Sequence, residues 1–123
     1  MDPENENAMN NLAYTLMDTG GSLDEAQKMV ERALQKSPKS PNFADTLGMV
    51  YLKKNLDDSA LQVFSGLTQR FPDNPTFRYH FALTLTHKGQ KAKAKTEFEA
   101  ALNKKPSDEL RKDIQSSLAK IQQ

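Results

Sequence analysis

Cysteine and long apolar runs are absent from this sequence of 123 residues. Because it has no cysteine, the chain can form neither disulfides nor thiolate metal sites, while reducing and oxidising compartments both stay open to it. Its apolar stretches are only a few residues long, which predicts that no helix inserts directly into a membrane. A hydrophobic content of 37% and a charged content of 27% are typical of a globular chain. The length predicts one domain, spanning residues 1–123.

Motifs of catalysis are also missing. The sequence has no glycine-rich phosphate loop, no nucleophile elbow and no zincin pattern. Its two histidines, His80 and His87, are seven residues apart. On one helix this spacing places them about 10.5 Å apart, too far to share a metal ion. We therefore expect no enzyme activity, no metal site and no cofactor.

Charge is nearly balanced over the whole chain, with 17 basic and 16 acidic residues. This balance gives no electrostatic case for nucleic-acid binding. The charge is unevenly spread, because residues 1–60 carry 6 Lys or Arg against 10 Asp or Glu, whereas residues 61–123 carry 11 against 6. No aromatic residue interleaves with the lysines of the run HKGQKAKAK, which we interpret as a solvated helix face.

A period of 34 residues runs through the sequence. Pro38, Pro72 and Pro106 are spaced at this interval. Three more sets of residues recur at fixed distances before these prolines: Ala26, Ala60 and Ala94; Val30, Phe64 and Phe98; and Ala33, Leu67 and Ala101. Such a period predicts a repeat architecture, in which each proline ends a helix.

Each repeat divides into two helical patterns around residues that accept a positive φ. These residues are Gly20 with Gly21, then Asn55, then Gly89, and each is expected to end one helix before the next begins. Small residues mark where the paired helices approach closely: Ala13, Gly48 and Ala82, and Ala26, Ala60 and Ala94. Larger apolar residues at helical spacing are expected to fill the seam between them: Leu12, Leu16, Val30, Leu47, Tyr51, Phe64, Phe81, Leu85 and Phe98.

This pattern resembles the tetratricopeptide repeat (TPR), a helix-turn-helix unit of 34 residues. The segments LAYTL, LGMVY and FALTL align within it, and the small, aromatic, alanine and proline positions recur in register three times. One departure is that Met9, Ala44 and Arg78 stand where the family has a bulky aromatic residue. The resemblance implies an all-α fold, a right-handed α-solenoid of three TPR hairpins at residues 7–39, 41–73 and 75–106.

Both ends of the chain carry further signals. After Pro106, Ser107 is a candidate N-cap, and an apolar stripe predicts a capping helix at residues 107–122: Leu110, Ile114, Leu118 and Ile121. Pro3 lies 35 residues before Pro38, where a preceding repeat would close. We therefore expect the native protein to continue upstream of Met1, with this segment as the C-terminal part of a larger bacterial TPR protein.

By resemblance to the family, the first helices line a concave groove that binds a peptide or helix of another protein. The implied groove residues are Asn10, Asn11, Tyr14, Met17, Asp45, Met49, Leu52, Lys53, Tyr79, His80, Leu83 and His87. Tyr14, Met49 and Leu83 are equivalent and are expected to form an apolar strip. The carboxylate clamp of co-chaperones needs Lys and Arg where this sequence has Asn10, Leu83 and His87, which disfavours a chaperone C-terminus as the ligand.

Two alternatives to a peptide-binding scaffold stay open. The chain is either a structural end segment of a longer TPR array, whose oppositely charged halves promote weak self-association, or a regulatory arm of a larger enzyme. The resemblance to bacterial arrays leaves a cytoplasmic and a periplasmic or envelope-associated location both open.

Overall fold

The computed structural model describes residues 5–122, which form seven α-helices and no β-strand within that range. The helices are α1 Glu6–Asp18, α2 Leu23–Lys36, α3 Pro41–Lys53, α4 Asp57–Arg70, α5 Pro75–His87, α6 Lys91–Leu102 and α7 Asp108–Ile121. The chain divides into two compact units, and the division falls inside α4, between Val63 and Phe64. Pro3, which carries the prediction of an upstream repeat, lies outside the described residues.

Short polar side chains begin five of the helices. Asn5, Ser22, Ser40, Asn74 and Ser107 each accept a hydrogen bond from the backbone N–H three residues further on, at 3.0 to 3.3 Å. This bond satisfies one of the N–H groups that a helix start leaves without a partner. Pro41 and Pro75 follow two of these caps at the first helical position, where a missing N–H costs nothing. The predicted N-cap at Ser107 is confirmed.

The first helices of the three hairpins end in one common motif. Gly20, Asn55 and Gly89 take φ values of 74°, 62° and 78°. The N–H of each following residue donates to a carbonyl five residues back: Gly21 to Leu16 at 2.8 Å, Leu56 to Tyr51 at 2.9 Å and Gln90 to Leu85 at 2.9 Å. This is the Schellman motif, and it confirms the predicted left-handed helix ends.

Gly21 is the exception, because it does not adopt a positive φ and the prediction for it was wrong. A Cβ atom added at Gly21 would lie 2.8 Å from Cδ2 of Leu16, closer than side-chain carbons approach. The second glycine therefore permits a close approach of the chain to Leu16.

The second helices end near the repeated prolines at two of three places. α2 and α4 stop two residues before Pro38 and Pro72, and Ser37 lies outside the helical region with φ −133° and ψ 74°. α6 instead ends at Leu102, four residues before Pro106, so the proline does not end this helix. There the N–H of Lys104 donates to Ala101, an i to i+3 bond that tightens the last turn, and Lys105 takes φ 55°.

In the first unit, α1, α2 and α3 pack around one apolar cluster. Its buried members are Met9, Ala13, Met17, Ala26, Val30, Ala33, Phe43 and Val50. Ala13 and Ala26 are fully buried, as expected where two helices approach closely. Leu12, predicted to fill the seam, is instead 47% exposed, because it lies about 100° around the helix from Ala13.

In the second unit, α5 packs on α6, and α7 packs on both. Ala82 and Ala94 are fully buried, and so are Phe98 and Ala101. α7 buries Ile114 completely, and the other residues of its predicted stripe are half-buried: Leu110, Leu118 and Ile121. The apolar face of α7 therefore covers α5 and α6, as predicted for a capping helix.

Candidate functional site

The candidate residues of α1 lie on and beside an exposed face of the first unit. Asn11 is exposed and Tyr14 is 38% exposed. Asn10 is half-buried, and its Oδ1 atom is buried without a hydrogen-bond partner among the described residues. Met17 lies in the core with 6% exposure, so it serves packing and not the accessible surface expected of a groove residue.

The candidate residues of α3 range from buried to exposed. Asp45 is only 5% exposed, which makes it a poor surface contact despite its predicted place in the groove. Met49 and Leu52 are half-buried, and Met49 packs against the core cluster. Lys53 is exposed. Of the candidate residues on α3, Met49, Leu52 and Lys53 therefore remain accessible to a ligand.

Tyr14 joins α1 to α3. Burial raises the pKa of Tyr14 above its ordinary value of 10.0, and the Asp45 carboxylate raises it further, whereas a hydrogen-bonding contact with the Thr46 hydroxyl lowers it. The structure thus brings Tyr14, Asp45 and Thr46 together. Tyr14 is a neutral phenol at physiological pH, able both to donate and to accept a hydrogen bond.

In the second unit, Tyr79 and His80 take part in packing. The centroids of their rings lie 5.7 Å apart, and the ring centroid of Tyr79 lies 6.0 Å from that of Phe98. Burial raises the pKa of Tyr79 above 10.0, the Ser117 hydroxyl on α7 lowers it, and the Asp113 carboxylate raises it. The phenol of Tyr79 is thus directed towards α7.

The remaining candidates of α5 are more accessible. Leu83 is half-buried and His87 is exposed. Within residues 5–122, no three histidine, aspartate or glutamate side chains come together as a metal site would require. In the same range, none of the helices has the length and apolarity needed to cross a bilayer.

Sequence reasoning did not single out a surface pocket between α5 and α6. It has a volume of about 200 Å³ and is lined by Phe81, Leu85, Lys93, Thr96 and Glu97. From the sequence, Phe81 and Leu85 are expected to fill the seam between paired helices, and Lys93 is expected on a solvated helix face. No spacing rule relates residues of two different helices, so the sequence contained no signal for this pocket.

Two of the ion pairs among the described residues join a lysine just after a helix to an aspartate elsewhere in the same unit. In the first unit, Nζ of Lys54 lies 2.7 Å from Oδ1 of Asp24 and 2.8 Å from Oε1 of Gln27. In the second, Nζ of Lys104 lies 2.9 Å from Oδ1 of Asp73. Hydrogen bonding to these ammonium groups lowers the pKa of Asp24 and of Asp73 below 3.8.

Comparison with known families identifies the fold. A family model described as tetratricopeptide repeat matches residues 10–75, just over half of the chain, and a second model of that description matches residues 75–108. The chain belongs to the tetratricopeptide repeat family. The all-α fold of TPR hairpins predicted from the sequence is confirmed.

Individual relatives share this fold at low sequence identity. A TPR repeat-containing protein of Pseudomonas aeruginosa is 29% identical over 73 residues, which are 59% of this chain and 12% of that protein. This chain therefore spans only a small part of the length of that curated relative. PcrH from Pseudomonas aeruginosa superposes with a TM-score of 0.81 at 20% identity, over 96% of this chain and 92% of PcrH.

A third relative was solved with a ligand. The type III secretion chaperone SycD of Yersinia enterocolitica, in complex with a peptide of the translocator YopD, gives a TM-score of 0.77 at 22% identity, over 94% of this chain and 91% of SycD. At such identities the likeness shows the fold alone. A fold of this class is typically a protein-interaction scaffold, not an enzyme.

Proposed function

We propose that this chain is a non-catalytic scaffold that binds a peptide or a helix of a partner protein through the first helices of its repeats. The observation that carries the proposal is the face of α1 formed by the exposed side chains of Asn11 and Tyr14 and the half-buried side chain of Asn10. These residues fall within about 100° of the helix circumference, so one extended segment can contact all three.

The polar atoms of this face suit a peptide backbone. Asn11 offers an accessible amide with donors and an acceptor, and Tyr14 offers a neutral hydroxyl beside it. These features support recognition of main-chain groups.

Apolar contacts would add affinity. In the first unit, Met49 and Leu52 on α3 are half-buried, so each retains surface that a ligand can cover. In the second unit, considered by itself, Leu83 on α5 is half-buried as well. His87 and Lys53 supply polar surface near the ends of their helices. In this proposal Tyr79 and His80 support α5 from the packed side and act indirectly.

The absence of cationic side chains at the carboxylate-clamp positions indicates the class of ligand. Asn10 in the first unit and Leu83 in the second are each neutral at a place where a carboxylate clamp has a cation, so an internal peptide segment or an amphipathic helix suits these positions better than a C-terminal carboxylate. The structural relative SycD was solved in complex with a peptide of the translocator YopD, which supports a peptide as the ligand of this chain.

Peptide display followed by binding assays tests the proposal. Peptides selected on the 123-residue chain should bind the double variant Asn11→Ala, Tyr14→Ala about tenfold more weakly, the loss typical of a central contact. Asn103→Ala is the matched control, because Asn103 is also exposed but ends α6. Equal affinity of every selected peptide for the wild type and the double variant contradicts the proposed face.

Self-association as an end segment of a longer array is the second candidate function, favoured by the charge asymmetry. Residues 1–60 have an excess of acidic side chains and residues 61–123 an excess of basic ones. Attraction between opposite halves of two copies weakens as salt screens it. Sedimentation velocity at low and high salt should then show association only at low salt, and a monomer at both rules this role out for the chain.

A further inference from the structure

The pocket between α5 and α6 has the size and lining of a site for one apolar side chain. Its volume of about 200 Å³ equals roughly six or seven water molecules at about 30 Å³ each, which is room enough for one leucine or phenylalanine side chain. Phe81 and Leu85 form its apolar part, and Lys93, Thr96 and Glu97 line the α6 side.

This pocket is separate from the proposed peptide-binding face. Phe81 and Leu85 are each two residues from Leu83, the α5 residue proposed above as a ligand contact. At 100° per residue they lie roughly 200° around the helix from it. A ligand in the pocket and a ligand at Leu83 therefore contact different sides of α5.

The charges around the pocket favour an anionic ligand. Nη1 of Arg78 lies 3.0 Å from Oε2 of Glu97, so the one carboxylate in the lining is already compensated. Lys93 forms no ion pair with any residue from 5 to 122 and is exposed, as are Lys91 and Lys95. These three lysines occupy the N-terminal half of α6, where the helix dipole adds positive potential.

We propose that the α5–α6 pocket is a second docking site, which takes an apolar side chain from an acidic peptide segment of a partner protein. The apolar side chain lies against Phe81 and Leu85, and a neighbouring carboxylate of the peptide pairs with Lys93. Charge complementarity selects this occupant, since a basic segment would be repelled by the ammonium group of Lys93 at the pocket rim.

Fluorescence anisotropy with a defined probe tests this site. The probe is an acetylated and amidated peptide with leucine between two pairs of glutamates, labelled with fluorescein through a glycine spacer. Lys93→Glu should weaken binding at least fivefold or so, because repulsion replaces attraction at the pocket rim. Lys95→Glu makes the same change in net charge outside the pocket lining and should weaken binding less than about twofold.

Two more binding measurements separate the contribution of the apolar pocket from that of charge. Thr96→Phe fills the pocket without altering charge and should abolish most of the binding, and a probe with glutamine for glutamate should bind at least about fivefold more weakly. Equal losses from Lys93→Glu and Lys95→Glu, or no measurable binding to the wild type, overturn the proposal. The double variant Asn11→Ala, Tyr14→Ala should leave the affinity for this probe unchanged, and a loss there would place the probe on the α1 face instead.

Discussion

Arg78 of α5 and Glu97 of α6 form a largely buried ion pair, with Nη1 and Oε2 3.0 Å apart and side-chain exposures of 18% and 19%. Nε of the same guanidinium donates to the carbonyl oxygen of Pro72 at 2.7 Å. One arginine thus connects three parts of the second unit, α5, α6 and the segment before α5. It does so at a position where the family has a bulky aromatic residue.

A double-mutant cycle should show that the pair is coupled. Arg78→Met leaves the Glu97 carboxylate half-buried without its partner and should reduce the free energy of unfolding by about 1–3 kcal/mol. Adding Glu97→Gln should restore part of this loss, with a coupling of about 1 kcal/mol. Urea unfolding of the four proteins measures both quantities, and strictly additive losses would show that the pair contributes no coupling.

Two glycines with equal space around them should respond to alanine in opposite directions. An added Cβ would meet nothing within 4 Å at Gly89 or at Gly66. Gly89 has φ 78°, so Gly89→Ala should reduce the free energy of unfolding by about 1 kcal/mol through backbone strain. Gly66 lies inside α4, so Gly66→Ala should increase it by roughly 0.5–1 kcal/mol. Thermal unfolding checks the two signs, and a stabilising Gly89→Ala would contradict the assigned turn.

Acid should remove the stabilisation supplied by Asp24 and Asp73. The hydrogen bonds from Lys54 and Lys104 hold the pKa of these carboxyl groups below 3.8 in the folded state. Their contribution is therefore fully present above pH 3.8 and is lost as the pH falls through the lower, folded pKa values. Thermal melts between pH 5 and pH 2 measure this effect. The melting temperature of the double variant Asp24→Asn, Asp73→Asn should fall less steeply with acid than that of the wild type.

The control for this pH series is Glu109→Gln, which removes an exposed carboxylate that has no ion pair within residues 5–122. Its melting temperature should fall with acid as steeply as that of the wild type. If the double asparagine variant also follows the wild-type curve, the two lysine contacts do not contribute to the acid response.

High pH should destabilise the fold through ionisation of Tyr14. Burial and the Asp45 carboxylate raise the pKa of Tyr14 in the folded state above 10.0. The associated stability is fully present below pH 10.0 and is lost as the pH rises through the folded pKa. In urea unfolding at pH 9, 10 and 11, the free energy of unfolding should decrease more steeply with pH for the wild type than for Tyr14→Phe. Tyr51→Phe serves as control, and a wild-type slope no steeper than that of Tyr14→Phe would rule out the link.

The repeat and its turns could be predicted from the sequence because they depend on local chemistry at a fixed spacing. The positive φ of Asn55, the cap at Ser107 and the buried Ala82 all follow from residue type and register. The burial of Met17 and Asp45 could not be predicted in the same way. Periodicity identifies a helix face, whereas burial depends on how far neighbouring helices cover each residue of that face.

The candidate surfaces were predictable to different degrees. Asn11 and Tyr14 were chosen from family register and are accessible. The pocket at Phe81 and Lys93 was not predicted, because it arises where side chains of α5 and α6 fail to fill the space between them. Packing gaps of this kind depend on rotamers and helix separation, which one sequence does not encode in any spacing.

The caps and turns have a consequence for how such genes lengthen. Ser40 before Pro41 and Asn74 before Pro75 are equivalent helix starts. A tandem duplication of residues 41–74 would therefore join Asn74 directly to a second copy of Pro41, which reproduces the capped helix start at the junction. The Schellman turn at Asn55 would be copied within the duplicated segment. Unequal recombination could thus add a whole repeat in one event without needing a new linker.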